Sequence, residues 1–160
     1  MANTYIQLYV HIVFSVKARH ALIPKRHKTE LHQYITGIIT KRKQKVIQIN
    51  SMPDHIHILI GMTPGIALSD LVQSIKIGST RFINRQGWIA GKFQWQEGFG
   101  AFSYSRSQLN TVAAYIENQE EHHSRQTFHE EYLEFLKRFN IPYDAKYVFD
   151  LEAPLESPRR

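Results

Sequence analysis

The twelve residues Tyr5–Val16, YIQLYVHIVFSV, alternate with strand period, and this constrains the chain more than any other feature. Ile6, Leu8, Val10, Ile12 and Phe14 share one face, so the segment belongs to a sheet with that face covered. A helical pattern follows: TELHQYITGIITKRKQK (Thr29–Lys45) carries Leu31, Ile35, Ile38 and Ile39 at helical spacing and ends in cations, which suit a helix C-terminus. Val46–Ser51 and Met52–Met62 then read as two strands joined in a hairpin around the turn formers NSMPD. Ser69 is a good N-cap for a second helix to about Arg85, with Leu71, Val72, Ile75, Ser79 and Phe82 on one side.

Lys92–Ser105 reads as one or two short aromatic strands broken at EGFG. Ser107 caps a third helix, QLNTVAAYIENQEEHH, and a last helix covers about Phe128–Phe139, followed by the irregular IPYDAKYVFD with aromatics able to dock. Strand, helix, strand, strand, helix, strand is the βαββαβ order of a ferredoxin-like antiparallel sheet, here an α+β fold with additional C-terminal helices. Without repeats or linkers, residues 1–150 are expected to form one domain, with 151–160 a disordered tail.

Zero cysteines exclude disulfides and thiolate metal sites and fit a cytoplasmic protein. No apolar run approaches a membrane span, and no secretory signal opens the chain. The net charge of +6 favours a polyanionic partner. Its cations gather in KRHK (Lys25–Lys28), KRKQK (Lys41–Lys45) and KIGSTRFINR (Lys76–Arg85), whereas acidic residues concentrate after Glu117.

Within MPDHIHILIG, His55 and His57 stand side by side on one strand face, while Ile56 and Ile58 point into the opposite layer. Two imidazoles so placed can bind one divalent ion, although half-buried histidines with ordinary hydrogen bonds give the same pattern. The third helix adds a second constellation. Leu109, Val112, Ala113 and Ile116 form its apolar face, and Tyr115 and Gln119 lie one turn apart on a neighbouring stripe with Thr111 and His122. A tyrosine bordering a buried face is ordinarily a packing residue; beside a metal it can be a nucleophile, with Gln119 offering an amide oxygen to the same ion.

MPDHIHILIG, LSDLVQSIK, FQWQEGFGAFSYS and VAAYIENQEEHH, in that order, resemble the single-tyrosine transposases of the HUH endonuclease superfamily. The likeness is greatest to the small insertion-sequence transposases of the IS two-hundred and six-hundred-and-five type, from about Tyr5 to Phe149. The resemblance implies that His55 and His57 are metal ligands, that Tyr115 is the nucleophile and that Gln119 completes the protein's share of the metal site. It implies a homodimer, commonly with the tyrosine helix of one subunit serving the other's histidines. It also implies cleavage of single-stranded DNA at hairpin-bearing element ends through a 5′-phosphotyrosine, using Mg²⁺ or Mn²⁺ and no organic cofactor.

Lys76, Ser79, Thr80, Arg81 and Arg85 occupy the region where the family's second helix meets DNA. Phe93, Trp95, Phe99 and Phe102 can stack unpaired bases, with most of them expected in the core. Two rival readings remain. One is a domesticated REP-associated transposase or a rolling-circle nickase running the same chemistry on another substrate. The other is a noncatalytic nucleic-acid-binding module on a ferredoxin-like sheet.

Overall fold

Alternation along the strands sends their two faces into different layers. The computed structural model describes residues 3–144. Its four strands are β1 (Leu8–Ser15), β2 (Lys45–Met52), β3 (His55–Met62) and β4 (Gly100–Tyr104), and they form an antiparallel sheet ordered β2-β3-β1-β4. Five α-helices accompany them: α1 (Lys28–Lys41), α2 (Leu68–Gln86), α3 (Leu109–Glu117), α4 (Gln119–His123) and α5 (Phe128–Arg138). This is the expected α+β, ferredoxin-like arrangement with helices added at its C-terminal end.

On one face Ile12 and Phe14 of β1 and Ile56, Ile58 and Ile60 of β3 pack against Leu31, Ile35 and Ile39 of α1 and Leu71, Val72 and Ile75 of α2. The other face is split. Val13 and Phe102 meet Phe128, Phe135 and Leu136 of α5, and Leu59 meets Val112 and Ile116 of α3. His55 and His57 share the face of Leu59 and are covered by these C-terminal helices.

Three local expectations shift and one holds. The hairpin turn is only Pro53-Asp54, because Met52 already pairs with His55. Ala67 rather than Ser69 occupies the N-cap of α2, so Ser69 lies in the first turn. The aromatic stretch behaves as expected, with the single strand β4 starting at the end of EGFG and an isolated bridge between Trp95 and Val16 before it. Ser105 rather than Ser107 opens the turn before α3, its backbone N–H donating to Gln108 Oε1 at 2.9 Å.

The third helix also divides at Asn118, where the backbone leaves helical geometry (φ −93°, ψ 27°). Asn50 Nδ2 donates to the carbonyls of Ile116 (2.9 Å) and Glu117 (3.1 Å) at the end of α3. Carbonyls that lack a partner at a helix end are thus satisfied from β2, and the tyrosine helix is tied to the sheet of its own chain. The expected domain end at 150, docking by aromatics beyond residue 144 and the tail after Leu151 lie outside the described residues.

Candidate metal centre and tyrosine site

His55 pairs across the sheet with Met52 and Ser15, and His57 with Asn50 and Val13, which fixes both imidazoles on the face under α3 to α5. Both are fully buried. Each uses Nδ1 on a neighbour: His55 on Asp54 Oδ1 at 2.6 Å, and His57 on His11 Nε2 at 2.7 Å. Both Nε2 atoms therefore turn inward, where they meet a carboxylate from α5. Glu131 Oε1 lies 3.0 Å from His57 Nε2, 3.2 Å from His123 Nε2 and 3.6 Å from His55 Nε2. The ligand atoms of His55, His57, His123 and Glu131 all lie within 4.8 Å of one another, a donor set able to hold a divalent metal.

Tyr115 and Gln119 reach the same place. The Tyr115 hydroxyl donates to Glu131 Oε2, and its ring centroid is 6.1 Å from that of His57. Gln119 is buried, with Oε1 3.4 Å from His55 Nε2 and 2.9 Å from His123 Nε2. All four residues expected at the site thus converge within one chain. Phe128 stacks on His55 at 4.2 Å between centroids and Phe135 meets Tyr115 edge-on at 5.9 Å, so α5 closes the cluster from above. A cavity of about 370 Å³, bordered by Arg19, Asp54, His123 and Phe128, reaches the His123 side.

The electrostatics follow from burial around one negative charge. Burial lowers the pKa of His57, outweighing the pull of Glu131, and lowers that of His11 well below the ordinary histidine value. For His123, burial is overcome by the hydrogen bond and charge of Glu131, so its pKa rises. Burial works against the ionised Glu131, yet the surrounding imidazoles hold its carboxyl far below the usual range. Asp54 is held down by His55 despite its burial. Burial and the adjacent Glu131 charge push the Tyr115 phenol up, so at neutral pH it keeps its proton.

Glu131, His123, His11 and Asp54 were not among the residues singled out in the sequence. A signal for Glu131 existed: it falls on the apolar stripe of α5 with Phe128 and Phe135, where an acid is out of place unless partnered.

The expected DNA-contact residues occupy the other layer of the fold. Lys76, Thr80 and Arg81 line a groove of about 530 Å³ between α2 and residues 94–99. Lys76 Nζ donates to the carbonyls of Gln96 (2.8 Å) and Gly98 (2.5 Å), and burial lowers its pKa to about 8. Arg85 is exposed near the end of α2. Ser79 corrects the expectation of a DNA contact. It is fully buried, donates to the Ile75 carbonyl (2.6 Å) and accepts from Trp95 Nε1 (2.9 Å), so it has no surface to offer DNA. Phe93, Trp95 and Phe102 are core residues, whereas Phe99 is exposed beside the groove.

A ferredoxin-like sheet with a histidine pair under a tyrosine-bearing helix accords with a DNA transposase. Residues 4–119 match the family model described as IS200-like transposase, and the chain belongs to that family. It is 27% identical over 118 residues to the ISDra2 transposase TnpA of Deinococcus radiodurans, covering 71% of this chain and 84% of that protein. A crystallised D. radiodurans R1 chain assigned as a transposase superposes with a TM-score of 0.59 at 24% identity, covering 74% of this chain and 96% of that one. A REP-associated tyrosine transposase, solved bound to a REP hairpin, also gives 0.59, at 16% identity over 100% of this chain and 97% of that one. Among the described residues, no helix is long and apolar enough to cross a membrane.

Proposed function

We propose that this transposase cuts single-stranded DNA at hairpin-bearing ends and rejoins it through a 5′-phosphotyrosine on Tyr115, in a reaction that needs Mg²⁺ or Mn²⁺. The observation that carries the reading is the convergence of the Tyr115 hydroxyl and the inward Nε2 atoms of His55 and His57 on Glu131. Those imidazoles, with Gln119 Oε1 close by, would hold the ion. When bound, it supplies positive charge against the non-bridging phosphate oxygens.

The chain's own groups do the rest. Tyr115 Oη, oriented by the hydrogen bond it donates to Glu131 Oε2, attacks phosphorus and gives up its proton to water. The bond from phosphorus to O3′ breaks, and the departing oxygen takes up a proton from solvent water to become a free 3′-hydroxyl. The ester on Tyr115 keeps the bond energy, so a later 3′-hydroxyl can attack it, rejoin DNA and return the phenol. A homodimer is proposed as the working assembly; the Tyr115 ring lies 6.1 Å from that of His57 in the same chain, which supports service of the histidines by the tyrosine of their own chain. The likeness to the REP-associated enzyme over the whole chain supports a second reading of the substrate, chromosomal hairpins in place of element ends.

The test is cleavage of labelled single-stranded hairpin DNA drawn from the sequence flanking the gene. Mn²⁺ should support cutting by the wild-type chain, and His57→Ala should lower the rate by several orders of magnitude. Full activity in EDTA would refute the metal requirement.

A further inference from the structure

The family match ends at residue 119, yet among the described residues the carboxylate in the cluster of donor groups comes from α5, at residue 131. Its two oxygens face different ways. Oε1 points at the three imidazole nitrogens, and Oε2 accepts the Tyr115 hydroxyl. Two donors bonded to one ion at about 2.1 Å lie about 3.0 Å apart at right angles and about 3.4 Å apart at the tetrahedral angle. The separations from Oε1, 3.0, 3.2 and 3.6 Å, fall around those values. The chemistry agrees, since hard divalent ions favour an oxygen ligand and a histidine pair alone offers none.

The orientation of the imidazoles points the same way. Asp54 accepts from His55 Nδ1, which leaves Nε2 as the lone-pair nitrogen aimed at the centre, the usual outer arrangement around a metal-bound histidine. Phe128 and Phe135, one turn to either side of Glu131, anchor α5 in the core, so the carboxylate is held by a rigid element.

We propose that Glu131 is a metal ligand, with Oε1 on the ion and Oε2 on the Tyr115 hydroxyl, so that one carboxylate sets the nucleophile's position relative to the metal. The segment after residue 119 is then part of the centre. This inference rests on the metal-dependent reading above and goes beyond its histidine and glutamine ligands.

Binding of Mn²⁺ alone to the full-length chain, followed through the EPR signal of the free ion, tests it without any cleavage. Glu131→Gln keeps the side-chain shape and should weaken Mn²⁺ binding by at least about a hundredfold, whereas Tyr115→Phe, which leaves Oε1 in place, should change it by less than about threefold. Binding by Glu131→Gln within twofold of wild type would overturn the proposal. His57→Ala separates the two levels. If it loses Mn²⁺ while Glu131→Gln does not, ligation by Glu131 fails and the metal reading stands; if neither loses it, both fail. Should Glu131→Gln not fold, wild-type chain carrying ¹³C at its glutamate carboxylates gives a second readout. Pulsed EPR of the Mn²⁺ complex should detect a directly bound ¹³C carboxylate, and its absence would overturn the proposal.

Discussion

Asp54 touches no substrate in this account, yet its removal should be felt at the ion. Its Oδ1 lies 2.6 Å from His55 Nδ1, a charge-assisted contact that fixes the ring and its tautomer. Loss of such an outer partner lowers metal affinity by about 10- to 100-fold, or about 1.4 to 2.7 kcal/mol. The structure divides that range between two variants. Asp54→Asn keeps an oxygen that can accept from Nδ1 and loses only the charge, so it should fall near tenfold. Asp54→Ala also frees the ring to rotate and to take the other tautomer, so it should fall near a hundredfold. Mn²⁺ titration by EPR at neutral pH reads both, with hairpin binding in EDTA as the control that the fold is intact. Wild-type Mn²⁺ affinity in Asp54→Ala would refute the reasoning, because His55 would then not depend on its neighbour for orientation.

Three further outcomes concern the rest of the molecule. Ser79→Ala strands the buried Trp95 N–H and should cost about 1 to 3 kcal/mol in chemical denaturation while leaving DNA affinity unchanged, whereas Arg81→Ala should leave stability alone and reduce the salt dependence of DNA binding by about one phosphate contact. Burial and the nearby Lys28 lower the His32 pKa to about 4, below its unfolded value of 6.5. The fold therefore has its full stability from this group above pH 6.5 and loses about 3 kcal/mol as pH falls towards 4, a slope that His32→Gln should flatten in denaturation at graded pH.

The strand periods were legible because alternation is a local property. The pattern that put Ile12 and Phe14 on one face and His55 and His57 opposite Ile56 and Ile58 is the pattern of the sheet. Tyr115 and Gln119 were legible as neighbours one helical turn apart, even though the helix breaks between them at Asn118. Glu131 and His11 were not, since they meet His57 from 74 and 46 residues away in sequence and no spacing rule links them. Ser79 shows two signals in conflict. Helical period put it on the buried stripe with Leu71, Val72 and Ile75, while the resemblance put it on DNA, and packing decided for the core. The cap on α3 from Asn50 was likewise invisible, because a single asparagine on a strand carries no mark of the helix it will meet.

The nucleophile is the claim on which the chemistry turns, and covalent trapping addresses it directly. Labelled single-stranded hairpin DNA, incubated with Mn²⁺ and run under denaturing conditions, should migrate with the wild-type chain, and mass spectrometry of the digested adduct should locate the nucleotide on Tyr115. Tyr115→Phe should bind the hairpin and trap nothing; an adduct of equal yield on that variant would contradict the account.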